Sequence, residues 1–181
     1  IIENFNIKTR NREFTAMFCV SSVKMLTHYY AVFEKILAEK IEQATQNGEH
    51  FADLKIATIF SYAANKAVSY GSGLIGEEST DLPAQINVSS RDHLDNYIEK
   101  YNRTFNTNFN SGDRFYDYYR DIGQRVKNKE IDLLLVVNMF LTGFDAPALN
   151  TLFVDKNLKY HGLIQAFSRT NRLYNDNYLV I

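Results

Sequence analysis

"IDLLLVV", Ile131 to Val137, carries the strongest strand signal of the chain. Its apolar residues do not alternate with polar ones, so both faces of the strand need cover, as in a parallel sheet flanked by helices. Working outward, Phe115, Tyr118, Tyr119, Ile122 and Val126 recur at steps of three and four and predict a helix that feeds into this strand. On the other side "TLFVD" (Thr151 to Asp155) predicts a strand, "HGLIQAFS" (His161 to Ser168) a short helix and "NYLVI" (Asn177 to Ile181) a last strand. Further upstream "EFTAMFCV" (Glu13 to Val20) and "KIATIFSY" (Lys55 to Tyr62) read as strands. Between them, Val23, Leu26, Tyr30, Phe33 and Leu37, with Met25, Tyr29, Val32 and Ile36 beside them, form one wide helical apolar face. Leu94, Tyr97, Ile98, Tyr101 and Phe105 mark another helix. Strands alternating with helices of this length imply an α/β domain with right-handed crossovers and a mainly parallel sheet. Residues 65–90, rich in Gly, Ser and acidic groups and holding Pro83, are expected to be an insertion loop.

Composition narrows the function classes. The 181 residues correspond to about one domain, and a hydrophobic fraction of 45% suits an ordinary globular core. Lys plus Arg number 20 against 21 Asp plus Glu, so any nucleic-acid contact must come from local patches rather than the overall field. Cys19 is the single cysteine and the four histidines lie far apart, so neither an internal disulfide nor a structural metal is expected. No apolar run approaches the roughly 20 residues of a membrane span, and a cytoplasmic location without membrane contact is expected. The start at Ile1 suggests a piece excised from a longer polypeptide.

One motif misleads. "GSGLIG" (Gly71 to Gly76) matches the G-x-G-x-x-G of dinucleotide-binding turns, but Glu77 and Glu78 put negative charge where phosphates would sit. A flexible loop is the better reading there.

In open parallel sheets ligands bind beyond the carboxyl ends of the strands. After Val137 comes "NMFLTGFDAP", in which Gly143 permits a tight path, Asp145 offers a carboxylate to a ribose hydroxyl or a partner arginine, and Pro147 fixes the exit. Asp145 could equally shape a turn. After Val20, Ser21 and Ser22 stand where a helix N-cap is wanted. After the strand ending at Asp155 comes "LIQAFSRTNRLY" (Leu163 to Tyr174), with Arg169 and Arg172 three positions apart. Standing alone, such a pair is a solvated basic face.

Together these segments carry a resemblance. "QAFSRTNR" resembles motif VI of superfamily 2 helicases, Q-x-x-G-R-x-x-R, with Gln165, Arg169 and Arg172 in place and Ser168 where glycine is usual. "TGFDAP" is similar to motif V, and "AMFCVSSVKMLTHYY" to motif IV. The wording of Leu134 to Arg172 looks most like the restriction (R) subunit of type I restriction-modification enzymes. The resemblance is strong over 131–172, moderate over 13–62 and almost absent over 65–90.

This resemblance implies a RecA-like three-layer α/β/α domain over residues 1–181, the C-terminal of two motor lobes. It implies an ATP and Mg²⁺ site shared with a preceding RecA-like lobe. Arg169 and Arg172 would then act as arginine fingers, and Gln165 would orient the arginines or the attacking water. Gly143 and Asp145 would belong to the ATP site, and Ser21, Ser22 and Lys24 would hold a DNA phosphate. Val137 and Asn138 depart from the threonine and aspartate common in the superfamily, which weakens the motif V contact to DNA. The implied partners are double-stranded DNA, the first motor lobe and nuclease domain of the parent chain, and the methylation and specificity subunits. No G-x-x-x-x-G-K-[ST] loop, D-E-x-x strand end or nuclease E-x-K is present, so the domain by itself should be catalytically silent. Two other readings stay open: a non-motor α/β module binding an anion or a partner, and the second motor domain of a type III restriction or repair helicase.

Overall fold

A computed structural model describes residues 1–61, 84–137, 139, 144–158, 164, 167, 168, 170, 173–175 and 178–179, with backbone alone at 84–89 and in the last two stretches. Four parallel strands make the sheet: β1 (Thr15–Val20), β2 (Ile56–Phe60), β3 (Leu133–Val137) and β4 (Leu149–Asp155), in the order β2-β3-β1-β4. The apolar run read as a doubly covered strand is β3, and all five of its residues are buried between two strand neighbours. With its helices the sheet forms the three-layer α/β/α arrangement of RecA-like type.

The chain enters through a short helix, α1 (Phe5–Lys8), with Phe5 buried. Three successive residues then turn left-handed: Arg10 at φ 50°, Asn11 at 55° and Arg12 at 64°. Such backbone is costly for side chains other than Gly and Asn, so local bonds must hold it. Asn11 N–H donates to the Asn6 carbonyl at 2.6 Å and Phe14 N–H to Thr9 at 3.1 Å. The Arg12 guanidinium donates to the carbonyls of Ala52 at 2.5 Å and Asp53 at 2.8 Å, and lies 3.9 Å from the Asp132 carboxylate. Asp132 in turn accepts from Lys55 N–H at 2.8 Å. One arginine therefore joins the approaches to β1, β2 and β3.

α2 (Val23–Gln46) follows β1. It buries Leu26, Tyr30, Phe33 and Leu37, whereas Val32 of the second stripe is exposed, so the apolar face is narrower than its periodicity suggests. Phe18 of β1 packs edge-on against Tyr29 of α2 at 4.8 Å. The registers Phe18↔Leu135 and Leu135↔Thr58 put Thr58 of β2 on the same face, under α2. The opposite face, with Met17, Cys19, Leu134 and Val136, is fully buried as well.

α3 (Ala84–Phe105) and α4 (Phe115–Lys127) complete the described helices. α3 begins directly after Pro83, so residues 84–90 are helical rather than part of the expected insertion loop. A proline at the start of a helix is compatible with it, because the first turn needs no donor there. The rest of that stretch, including the G-x-G-x-x-G match, lies outside the described residues. Of "NYLVI" the described residues Tyr178–Leu179 form a strand, paired antiparallel with Leu173–Asn175 in a sheet separate from the four-stranded one.

α3 touches both other long helices. Tyr97 meets Tyr30 of α2 at 4.7 Å, and Lys100 pairs with Glu34 at 2.6 Å. Tyr101 packs edge-on against Tyr118 of α4 at 5.0 Å and donates to Asp121 at 2.6 Å. Tyr118 is fully buried, and its hydroxyl donates to the Thr58 carbonyl at 2.7 Å. Burial pushes this phenol well above its ordinary pKa, which keeps it a donor. Tyr118→Phe would strand that carbonyl and lower stability by about 1–3 kcal/mol in urea unfolding, far more than the loss of a surface hydroxyl.

Burial also raises the Asp132 carboxyl above its ordinary 3.8, outweighing the Lys55 backbone bond and Arg12. The folded chain therefore binds that proton more tightly than the unfolded one. The resulting stability is complete below the ordinary value and is lost as pH rises through the folded value. Asp132→Asn, which keeps an acceptor for Lys55, should flatten this fall in the weakly acidic range when unfolding is followed against pH.

Candidate functional site

Strand register decides what can meet at the carboxyl pole. Val20 pairs with Asp155 and Cys19 with Val136, so β1, β3 and β4 end level. Ser21 and Lys156 therefore leave the sheet side by side, at the pole where β3 also ends. This is the pole at which parallel sheets bind ligands.

At the end of β1, Ser21 is exposed and Ser22 caps α2, its hydroxyl accepting from Met25 N–H at 3.2 Å while its carbonyl accepts from Leu26 at 2.9 Å. The Ser22 side chain thus performs the ordinary capping role. Lys24 is exposed in the first turn, where the helix N-terminus carries partial positive charge. Ser21 and Lys24 together present a donor and a cation beside that terminus.

Asp145 is exposed between buried Phe144 and Ala146. The chain then turns into β4 over Ala146–Leu149, closed by Leu149 N–H on the Ala146 carbonyl at 2.9 Å, with Pro147 at the turn position its ring favours. The apolar residues on each side anchor the segment and direct the carboxylate outward. Gly143, Gln165, Arg169 and Arg172 lie outside the described residues, so of the expected site only Ser21, Ser22, Lys24 and Asp145 are placed.

Two features have no counterpart in the sequence reading. The Tyr29 hydroxyl of α2 donates to Asp155 Oδ2 at 2.7 Å, joining that helix to the end of β4. This hydrogen bond, ahead of desolvation and the carboxylate charge, raises the tyrosine pKa. Tyr29 was legible as one of an apolar stripe, and spacing says nothing of a partner 126 positions away. The second feature is Ile164 and Phe167, in a helical turn marked by Ser168 N–H on the Ile164 carbonyl at 2.9 Å. Their relative exposures of 71% and 52% put two large apolar side chains in solvent within the segment that carries the arginines. Nearby Cys19 is buried, which pushes its thiol pKa up against the opposing effect of Lys156. Among the described residues no group of three His, Cys, Asp or Glu could hold a metal, and no helix is long and apolar enough to cross a membrane.

The four-stranded parallel sheet and its helices define a domain of the RecA-like α/β/α class, with a helix N-terminus and a lysine after the carboxyl end of β1. Comparison with known proteins gives the family. Residues 12–179 match the family model for type I restriction enzyme subunit R domain 3, and the chain belongs to that family. It is 45% identical over 176 residues to the type I restriction enzyme SsaAORF53P endonuclease subunit of Staphylococcus saprophyticus, covering 96% of this chain and 17% of the relative. It is 40% identical over 177 residues to the SauCOLORF180P endonuclease subunit of Staphylococcus aureus, covering 96% and 16%. A putative type I restriction enzyme endonuclease subunit of Methanocaldococcus jannaschii, MjaVIIP, is 31% identical over 153 residues, covering 78% and 13%. The chain thus spans about a sixth of the staphylococcal relatives.

Capping and phosphate contact at Ser22 can be separated by substitution. Ser22→Ala should cost about 1 kcal/mol of unfolding free energy, whereas Ser22→Asp, itself a good cap, should cost little. Both are checked by denaturant titration of the same chain.

Proposed function

We propose that this chain is the second motor lobe of a type I restriction enzyme R subunit, closing on ATP held by a preceding lobe and driving double-stranded DNA. The observation that carries the reading is the level alignment of the ends of β1, β3 and β4, the strands after which the motif IV, V and VI residues follow in the sequence. Exposed Ile164 and Phe167 add support, since large apolar side chains in solvent suit a surface that another domain covers.

In this reading Arg169 and Arg172 present guanidinium groups to the γ-phosphate, where hydrolysis builds negative charge. Arginine fingers are worth about a thousand- to hundred-thousand-fold in rate. Gln165 positions the arginines or the water, and Asp145 meets the ribose or ties the arginines to the Gly143 turn. ATP supplies the transferable phosphoryl group. Mg²⁺ would take its protein ligands from the preceding lobe, because the described residues gather no acidic cluster for it. Ser21, Ser22 and Lys24, with the α2 N-terminus, suit a DNA phosphate, since Ser22 accepts from Met25 N–H and keeps its own O–H to donate. Endonuclease activity and assembly with methylation and specificity subunits belong to the rest of the parent polypeptide in this proposal.

In the full R subunit, Arg169→Ala and Arg172→Ala should each reduce DNA-stimulated ATP hydrolysis by about a thousandfold or more, with DNA binding retained. The isolated domain should hydrolyse no ATP. Unchanged ATPase in both variants would turn the assignment toward an anion- or partner-binding module.

A further inference from the structure

A cavity of about 340 Å³ opens between α2 and α3 over the first half of β2, away from the carboxyl pole. Its lining is mixed. Leu37 and Ile41 of α2 and Phe105 of α3 supply apolar wall, and Tyr30 and Tyr97 bring hydroxyl groups. Asp53 and Lys55, from the segment that leads into β2, bring opposite charges.

Tyr30 and Tyr97 are 9% and 8% exposed, with rings 4.7 Å apart, yet neither hydroxyl has a hydrogen-bond partner among the described residues. Neither is sealed, because both remain open to water. Burial, ahead of the Glu34 charge, pushes both phenols above their ordinary pKa, so each stays a donor. Polar groups on side chains buried to this extent are nearly always satisfied, so the pair is placed to serve whatever fills the cavity. The charges divide in the same way. Lys100 is spent on Glu34 at 2.6 Å. The Asp53 carboxylate accepts only from its neighbour Leu54 N–H at 2.8 Å, the Lys55 ammonium meets only the Phe105 ring at 5.9 Å, and neither has an ion-pair partner among the described residues. Leu54 is buried while Asp53 and Lys55 on either side of it are exposed, which is the alternation of extended backbone. The two charges therefore lie on one side of the chain, about 7 Å apart at the backbone.

An anion in this cavity would face the Asp53 charge and a cation the Lys55 charge, whereas a zwitterion meets each with its opposite. The volume is near the lower end of ligand-sized pockets, which suits a small molecule. We propose that the cavity binds a free α-amino acid with an apolar side chain, its ammonium at Asp53, its carboxylate at Lys55 and the two tyrosine hydroxyls, and its side chain against Leu37 and Phe105. The inference rests on the cavity alone and is independent of the motor assignment.

The test is equilibrium dialysis of the full-length R subunit against radiolabelled L-leucine and L-phenylalanine. Saturable uptake of one equivalent of at least one of them is expected. N-acetylation and methyl esterification, each of which removes one charge from the ligand, should weaken that uptake about tenfold or more. Asp53→Asn, Lys55→Met and the double substitution Tyr30→Phe with Tyr97→Phe should each weaken it about tenfold. The thermal midpoint should hold in all three, because the hydroxyls have no partner in the protein, asparagine keeps the acceptor for Leu54, and methionine keeps a flexible apolar stem over Phe105. The proposal is overturned if neither amino acid is taken up saturably or if the acetylated or esterified analogue binds as well as the parent. It is equally overturned by uptake that survives the substitutions, which would put the site elsewhere on the polypeptide.

Discussion

β3 imposes the constraint from which the rest of the architecture follows. It carries no polar side chain, has strand neighbours on both edges and is buried on both faces. Such a strand is stable only if both faces are covered, and α2, which leads out of β1, covers the face of Phe18. Burial of roughly 25 cal/mol per Å² of apolar surface is the main return for ordering so much chain. Flat parallel registers then bring the strand ends level, and a common pole for ligand contact is a geometric by-product of packing.

Much of this was legible in the residues, for identifiable reasons. The unbroken run at β3 and the three-and-four spacing in α2, α3 and α4 are consequences of burial, and burial is written in side-chain type. The approach to β1 was not legible. The left-handed Arg10 to Arg12 turn is held by carbonyls of Ala52 and Asp53, and nothing in the local spelling "TRNREF" points to acceptors some forty positions away. Residues 84–90 were read as part of a loop but are helical, because the mostly polar residues there conceal the period until Leu94. For "NYLVI" the strand tendency was readable at Tyr178–Leu179, but a tendency does not name a partner, and the partner is antiparallel.

The candidate site shows the same division. Serine after β1 was readable both as a cap and as a phosphate ligand; the geometry shows Ser22 capping α2 as an acceptor, a role that leaves its hydroxyl proton free to donate, with Ser21 and Lys24 exposed beside it. Asp145 could shape a turn or face a ligand. The turn that follows it closes through the Ala146 carbonyl and Leu149 N–H, so the backbone supplies that closure, and the carboxylate stays at the surface. The arginines, glutamine and glycine that complete the motif pattern are known here by sequence alone. The tie from Tyr29 to Asp155 and the solvent-facing Ile164 and Phe167 depend on tertiary arrangement, which periodicity does not encode.

The bond from Tyr118 to the Thr58 carbonyl also limits how the fold can vary. An edge strand normally offers its free backbone groups to any passing strand. Here a ladder carbonyl of β2 is occupied by a side chain, and α3 with its tyrosines packs across that border. Among the described residues, then, the sheet is closed to growth at β2. Any strand that a related protein adds has its opening beside β4, whose residues become progressively more exposed toward Asp155. Diversification of this domain is thereby directed to the β4 border.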